Sequence, residues 1–332
     1  MKFSDLLFLL VFVNPLFAAR RPGATFLLIP PTAKATGMAY AWSAIADDAS
    51  ANYYNGAGLA FLQSPCLTLS YFDYLPGLHP DMHYVYFAGA YPFASSGLGF
   101  DIIWHTVGKI EKIIDDIYMG TVTGYDFSPK ITYSRKFKNS NSLGIGLKVV
   151  YANYWINPWV LPYYNWSPSL SYAFDFDCLF LVKPNLSLAT VLHNFGPDIT
   201  YTESGAKDPL PCLFRIGVAC KLIEFDNFLI TVSAEITKIL TSMFADESAT
   251  LFENLKYEIK EAWKGIGAEF KVYRAAEFVI GYFYDYEGNK KGITFGGGIK
   301  FKKFEFDIGI DENVFDFETQ NRKISLIYHY YR

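Results

Sequence analysis

Residues 143–151 read LGIGLKVVY, and this stretch decides the fold because the character of its side chains alternates. Every second position from Leu143 to Tyr151 is apolar or aromatic, whereas the positions between them are two glycines, a lysine and a valine. Successive side chains of a β-strand point to opposite faces of its sheet. The stretch therefore predicts a strand with one apolar face and one face that is mostly polar or glycine.

The same period of two residues recurs along most of the chain after position 63. About fourteen segments carry it, and most are close to the ~9–11 residues that a tilted membrane-crossing strand requires. An even number of strands is expected for an antiparallel barrel whose two ends lie on one side. The segments lie near 65–74, 82–92, 97–106, 128–137, 142–153, 169–182, 185–194, 209–222, 227–238, 264–273, 277–286, 292–301, 303–311 and 322–331.

The connections between these segments alternate between short and long. This asymmetry is typical of an outer-membrane barrel, in which a closed sheet leaves no unpaired backbone edge in lipid. A water-soluble β-sandwich also alternates apolar and polar positions, but it does not require every second connection to be long. The fold class predicted is a transmembrane antiparallel β-barrel of about fourteen strands. The long connections are 107–127, 154–168, 195–208, 239–263 and 312–321.

Composition agrees with a membrane barrel and excludes several other classes. The 332-residue chain is 51% hydrophobic and 18% aromatic, and aromatic residues near strand ends suit the membrane interfaces. A net charge of -4 without a lysine-rich or arginine-rich run argues against nucleic acid as a partner. The four cysteines form no C-x-x-C pair, so we expect no metal and no cofactor. The sequence contains no nucleophile motif, so we do not expect an enzyme.

The first 19 residues predict a cleaved secretory signal. Lys2 is followed by the apolar run Leu6–Val13 and by small residues up to Ala19. The apolar run is well short of the ~20 residues that a membrane-spanning helix needs. We therefore expect export to the cell outer membrane and three segments, namely the signal over 1–19, an arm and helical hatch over 20–62, and the barrel over 63–332.

Residues 41–60, AWSAIADDASANYYNGAGLA, are too small in side-chain volume to build a large core. A barrel of about fourteen strands encloses more space than its own side chains fill, so its lumen needs a plug or water. The small residues over 37–51 predict a helix that approaches the inner wall closely. Asp47 and Asp48 are expected either to pair with inward cations or to meet water in the lumen. The inward cations considered are Lys148, Arg215, Lys221 and Lys271.

This segment resembles the N-terminal hatch of the FadL-like outer-membrane superfamily, most of all its PorV/PorQ branch. That branch usually reads A-x-A-D-D-A-S-A-x-Y-Y-N-P-A-G-L-A, and residues 192–197, LHNFGP, are similar to its strand-ending N-x-G motif. Gly56 stands where the family usually has proline, which predicts a looser turn. The hatch residues that the resemblance singles out are Asp47, Asp48, Tyr53, Tyr54, Asn55, Gly56 and Gly58.

The resemblance implies two alternative functions. The first is passive uptake or transfer of hydrophobic small molecules, with outer-membrane lipid and a long-chain fatty acid or another hydrophobic ligand as partners. The alternative is a PorV-like component of type IX protein secretion, which binds cargo or secretion-system proteins. An apolar pocket near the hatch would favour the first function, whereas a sealed lumen without such a pocket would favour the second.

Two further features predict where specificity lies. Gly97 and Gly99 in the third strand predict an opening in the wall, because glycine tolerates bulges and kinks. Loop 154–168 is either a surface for a ligand or partner or an aromatic collar on lipid headgroups. Its aromatic residues include Trp155, Trp159, Tyr163, Tyr164 and Trp166.

Two of the long connections have apolar residues at helical spacing. The connections 239–263 and 107–127 each place such residues among charged ones. This pattern predicts amphipathic helices at the mouth of the barrel.

Overall fold

A computed structural model describes residues 21–77, 81–114, 117–137, 140–153, 169–200, 207–242, 251–273, 275–312, 314, 319 and 321–330. The predicted signal over 1–19 lies outside the described residues, and so does the whole aromatic loop 154–168 with Trp155, Trp159, Tyr163, Tyr164 and Trp166.

Fourteen antiparallel strands close into one barrel, which confirms the predicted fold class. Each strand of the barrel pairs with the next barrel strand along the chain, so that β7 pairs with β10, and β1 closes the barrel against β16, with Cys66 opposite His329. A separate two-stranded sheet, β8 and β9, lies in the connection between β7 and β10. The strands are β1 Cys66–Asp73, β2 Met82–Phe93, β3 Ser96–Ile114, β4 Ile117–Phe137, β5 Asn141–Asn153, β6 Ser169–Lys183, β7 Leu186–Phe195, β8 Ile199–Thr200, β9 Lys207–Asp208, β10 Leu213–Phe225, β11 Phe228–Ile239, β12 Trp263–Val272, β13 Ala276–Asp285, β14 Lys290–Phe301, β15 Phe304–Ile310 and β16 Arg322–His329.

The two ends of the barrel differ. Two-residue turns at 94–95, 184–185, 226–227 and 302–303 lie at one end, which we call the short-turn end. The longer connections lie at the opposite end, the long-loop end. This arrangement follows the predicted alternation of short and long connections.

Side chains alternate across the wall as the period of two predicts. Along β5, Leu143, Ile145 and Leu147 are exposed on the outside, whereas Ser142 and Lys148 are buried inside. Most other strands repeat this arrangement, so the outer surface is apolar and the inner surface is polar. All four cysteines are in the described part, and none of them forms a disulfide.

The connection 107–127 contradicts the predicted amphipathic helix. It is instead the far part of the β3–β4 hairpin, in which the last pair is Ile114 with Ile117. Threonine and valine at 121–123 favour a strand because they are branched at Cβ. Gly108 and Gly120 have positive φ angles of 82° and 109°, which do not fit a right-handed helix.

The helices are short and lie mostly before the first strand. They are α1 Ala33–Gly37, α2 Ala51–Tyr54 and α3 Leu251–Glu261, together with 3-10 turns at Thr25–Leu28, Gly56–Phe61 and Leu240–Ser242. Helix α3 confirms the helix predicted within 239–263. The single helix predicted over 37–51 is wrong, because Ala39, Tyr40 and Ala46 have positive φ angles that break it. Among the described residues, none of the helices is long and apolar enough to cross a lipid bilayer.

Candidate functional site: the hatch and the chamber beside it

Residues 21–62, here called the hatch, cross the lumen from one wall to the opposite wall. Helix α1 packs against β13–β16, whereas the 3-10 turn at Gly56–Phe61 packs against β2–β6. Trp42 and Met38, which lie between these two contacts, are fully buried. The plugged lumen that the sequence predicts is therefore present, although the plug is built from short helical turns.

The first part of the hatch lies toward the long-loop end. The Gly23 amide donates to the Pro209 carbonyl in the β7–β10 connection at 2.9 Å. Further along the hatch, the Lys323 ammonium donates to the Pro30 carbonyl at 2.9 Å, and the Ser70 hydroxyl donates to the Pro31 carbonyl at 2.6 Å. Residues 23–31 therefore close the lumen from this side.

An aromatic layer fills the space between this arm and the wall. Phe26 stacks on His105 with ring centroids 6.5 Å apart, and the Tyr84 hydroxyl donates to the Phe26 carbonyl at 3.3 Å. The Tyr53 hydroxyl donates to the Leu27 carbonyl at 3.0 Å. Burial raises the pKa of Tyr53 to about 12 against the opposing effect of a nearby arginine, so this donor stays protonated at neutral pH.

Asn55 fastens the turn between α2 and the 3-10 turn that follows. Its side-chain oxygen accepts from the Ala57 amide at 3.1 Å. Its side-chain nitrogen donates to the Ser43 carbonyl at 2.9 Å and to the Cys178 carbonyl of the wall at 3.1 Å. Because Asn55 is buried, these bonds satisfy groups that water does not reach.

Gly56 ties the same turn to the wall. Its amide donates to the Asp177 carboxylate at 3.0 Å. A Cβ at this position would lie 2.5 Å from the Thr132 methyl group and 2.8 Å from an Asp177 oxygen. Proline has no amide hydrogen and could not make this bond. Glycine therefore holds the turn, which corrects the looser turn expected from the missing proline.

The two aspartates of the hatch have different surroundings. The Asp47 carboxylate lies 3.7 Å from the Lys271 ammonium and is about half exposed. Asp48 is buried, and its carboxylate accepts from the Ser50 amide at 2.6 Å. Of the four cations considered from the sequence, Lys271 is therefore the one that pairs with a described aspartate of the hatch, whereas Arg215 lies over the rings of Tyr53 and Tyr54. The other three contact carboxylates of the barrel: Lys148 with Asp175, Arg215 with Glu235, and Lys221 with Glu224.

The predicted wall opening at Gly97 and Gly99 coincides with close packing of the hatch. A Cβ on Gly97 would lie 2.5 Å from the Leu59 carbonyl oxygen, and one on Gly99 would overlap the Asn52 side chain. Pairing with β2 and β4 continues on both sides through these two glycines. In this conformation, therefore, the glycines admit the hatch and the wall is closed beside them.

Inner-wall glycines mark the path of the hatch along the rest of the barrel, and sequence reasoning missed this role. The sequence does contain a signal for this role, because these glycines occupy strand positions whose side chains would face the lumen. The contacts that a Cβ would meet are Ala57 at Gly144, Ser43 at Gly217, Met38 at Gly267, Ala39 at Gly281 and Ala33 at Gly309.

One buried charge cluster joins β3, β4 and β6 to the hatch. The Lys130 ammonium lies 3.3 Å from Asp101 and 3.1 Å from Asp175, and it donates to the Asn52 carbonyl of the hatch. The Lys148 ammonium lies 2.9 Å from the same Asp175 carboxylate. Because these groups are buried, their mutual pairing offsets the free-energy cost of removing the charges from water.

The LHNFGP motif at 192–197 forms the end of β7 beside this cluster. His193 hydrogen-bonds Asp177 at 2.7 Å, and the side-chain nitrogen of Asn194 donates to the Pro211 carbonyl at 3.0 Å. The Asn194 side-chain oxygen accepts from Lys148 at 2.6 Å. The motif therefore holds a corner of the wall and orients the lysine cluster.

A second charge cluster holds α1 to the opposite wall. The Lys34 ammonium contacts Glu305 and lies 3.5 Å from Glu277. Burial lowers the pKa of Lys34, but the two carboxylates outweigh it and hold this pKa well above its ordinary value. The lysine is therefore charged at every physiological pH and anchors α1.

A cavity of about 780 Å³, here called the chamber, lies between the hatch and the short-turn end. One part of its lining is apolar and includes Ala44, Ile45, Leu62, Leu179 and Leu186. The other part carries Asp47, Lys271, Glu277 and Glu305. The hatch therefore borders a space that offers both apolar and charged surface.

Comparison with known proteins identifies the fold. No family model matches the sequence, and no curated protein matches it. The solved structure of the Pseudomonas putida toluene transporter TodX is similar with a TM-score of 0.57 and 11% identity, over 94% of this chain and 98% of that chain. The Ralstonia pickettii toluene transporter TbuX gives 0.56 and 9%, over 90% and 98%. A Pseudomonas aeruginosa FadL homologue gives 0.53 and 12%, over 91% and 99%.

These similarities establish that the chain has the barrel fold of FadL-type transporters. Two of the three structures are described as toluene transporters and none as an enzyme, in agreement with the expectation of a non-enzymatic barrel. The likeness to the PorV/PorQ branch and the segment boundaries at 19 and 62 stay predictions.

Proposed function

We propose that this protein is an outer-membrane barrel through which small hydrophobic molecules pass passively when the hatch moves. The observation that carries the proposal is the chamber, because it places apolar surface directly against the plug of a closed barrel. Its volume of about 780 Å³ falls within the ~300–1,000 Å³ usual for small-molecule sites.

The outer surface supports a membrane location. Leucine, isoleucine and aromatic side chains are exposed around the whole wall, for example Leu170, Ile216 and Ile266. An apolar surface that surrounds a protein is costly in water but favourable in lipid. The cell outer membrane is proposed as the location because closed barrels with apolar exteriors are the form in which β-sheets cross that membrane.

The chamber lining and the similar structures both support a hydrophobic ligand. The apolar lining formed by Ala44, Ile45 and Leu179 suits a hydrocarbon, and the similar barrels are described as transporters of toluene. A long-chain fatty acid would add a carboxylate, which Lys271 in the same chamber could receive. The secretion function is not favoured over uptake, because the chamber beside the hatch has an apolar part.

Uptake by intact bacterial cells tests the proposal. The protein is expressed in a Gram-negative host that lacks its own fatty acid channel, and uptake of radiolabelled toluene and oleate is measured in parallel. We expect uptake of at least one compound to exceed that of cells with an empty vector severalfold. Uptake of neither compound above the vector would overturn the proposal, and co-purification of secretion proteins would then support the alternative.

A matched pair of substitutions ties uptake to the chamber. Leu229→Trp places an indole in the chamber, whereas Leu222→Trp places one on the exposed outer surface of the neighbouring strand. We expect Leu229→Trp to reduce uptake by half or more and Leu222→Trp to leave it unchanged. Equal uptake by both variants would remove the chamber from the route.

A further inference from the structure

Three carboxylates converge on the inner wall beneath α1. Glu277 lies on β13, and Glu305 and Asp307 lie on β15. Gly298 of β14 is the cross-strand partner of both Glu277 and Asp307, so no side chain of the intervening strand separates the two. One oxygen from each of the three carboxylates lies within 4.8 Å of the others.

Asp307 is the member of this group that protein contacts leave unsatisfied. It is 1% exposed, and neither of its carboxylate oxygens has a hydrogen-bond partner among the described residues. A buried carboxylate without a partner is strongly unfavourable, so buried charges are usually paired or bind a metal ion. Asp307 is therefore a buried carboxylate that receives no hydrogen bond from the described part of the chain.

The Lys34 ammonium of the hatch lies beside these three carboxylates. It contacts Glu305 and lies 3.5 Å from Glu277. Lys300 and His329 approach Glu305 at 3.7 and 3.1 Å. These cations therefore contact Glu305 and Glu277, and the Asp307 oxygens accept no hydrogen bond from any residue that the structure describes.

We propose that Glu277, Glu305 and Asp307 form a divalent-cation site, which the Lys34 ammonium occupies while the hatch is closed. Ca²⁺ binds carboxylate oxygens at ~2.3–2.6 Å, so two ligands on opposite sides of the ion lie ~4.8 Å apart. The observed spread of the three oxygens fits within this limit. A divalent ion would also supply one positive charge more than the ammonium that it replaces.

The site is open to ions through the chamber. Lys34, Glu277 and Glu305 all belong to the chamber lining, and the chamber extends to the short-turn end. A cation that enters from this end competes with Lys34 for the same oxygens. Binding of the ion and pairing of Lys34 with Glu277 and Glu305 are therefore mutually exclusive, whichever molecule the barrel carries.

Calcium titration by calorimetry of the detergent-solubilised protein tests the site. Lys34→Met removes the competing ammonium, so we expect Ca²⁺ to bind this variant at least ~10-fold more tightly than it binds the wild type. The double variant Lys34→Met/Asp307→Asn should lose this gain. Lys221→Met is the matched control, because it removes another chamber lysine without touching the three carboxylates.

Each outcome decides for or against the site. A gain in Lys34→Met that is absent from Lys221→Met and from the double variant supports it. No gain in Lys34→Met, or an equal gain in Lys221→Met, overturns it. If Lys34→Met does not fold, the wild type and Asp307→Asn are compared directly. Millimolar Ca²⁺ binding that Asp307→Asn abolishes supports the site, whereas absent or unchanged binding overturns it.

Discussion

Gly56 is a residue at which the backbone of the hatch reaches the barrel wall. Gly56→Pro removes the amide that donates to Asp177 and leaves a buried carboxylate oxygen without that donor. Loss of a hydrogen bond to a charged group is expected to lower the free energy of unfolding by about 1.5–3 kcal/mol. Urea unfolding of the protein in detergent, followed by tryptophan fluorescence, measures this difference.

A double-mutant cycle with Asp177→Asn is the control for Gly56→Pro. If the two residues interact directly, the double variant should be less destabilised than the sum of the single variants, by about 1 kcal/mol or more. Additive effects would mean that the proline acts through steric clash alone.

Lys130 lies between two aspartates of the wall and one carbonyl of the hatch. Lys130→Met leaves Asp101 and Asp175 short of a buried counter-charge, so we expect a loss of about 3–5 kcal/mol in the free energy of unfolding. Lys221→Met is the matched control, because the Lys221–Glu224 pair is exposed and its loss should cost less than about 1 kcal/mol. Similar losses in both variants would contradict the importance of burial.

The sequence identified some of these residues and could not identify others. The small residues and the Asn55–Gly58 turn point to a segment that packs closely, and Lys271 is among the partners expected for the aspartates. The partners of Lys34, in contrast, lie more than 240 positions away on separate strands. Their convergence depends on how the barrel closes, which no local pattern encodes.

The strands can be located from the sequence, whereas the internal structure of the hatch cannot. The side chains of a wall strand alternate between the outer surface and the lumen, so an apolar residue at every second position locates the strand in the sequence. The hatch is surrounded by wall on all sides, and its helices are four or five residues long. Small side chains indicate close packing there, but the positive φ angles at Ala39 and Tyr40 that redirect the chain leave no periodic signal.

One lysine of the wall pairs with two carboxylates of helix α3. The Lys238 ammonium of β11 lies 2.5 Å from Glu258 and 3.0 Å from Glu261, whereas Tyr257 and Ile259 are exposed. Lys238→Met should release the helix from the wall, so we expect its amide hydrogens to exchange at least ~10-fold faster by mass spectrometry. Lys256→Met, an exposed lysine on the same helix, should not change the exchange rate. Unchanged exchange in Lys238→Met would show that other contacts hold α3.

The wall and the hatch stabilise each other through contacts inside the lumen. The inner wall carries buried charges such as Asp101, Arg215 and Glu235, and the hatch covers them with backbone and small side chains. The barrel pairs its own backbone without the hatch, because every wall strand pairs with two neighbours. We therefore expect the barrel to form when the hatch is removed, but with a lumen that fills with water.

Deletion of residues 21–62 tests this division of roles through electrical conductance. The intact protein should show little conductance in a planar lipid bilayer, because the arm closes the long-loop end and the hatch spans the lumen. The deletion variant should show a severalfold larger single-channel conductance, since water and ions then fill a polar lumen of fourteen strands. Leu222→Trp in the full chain is the control for reconstitution, and far-UV circular dichroism checks that the deletion variant keeps its strands. If the deletion variant keeps its strand content but still does not conduct, something other than the hatch blocks the lumen.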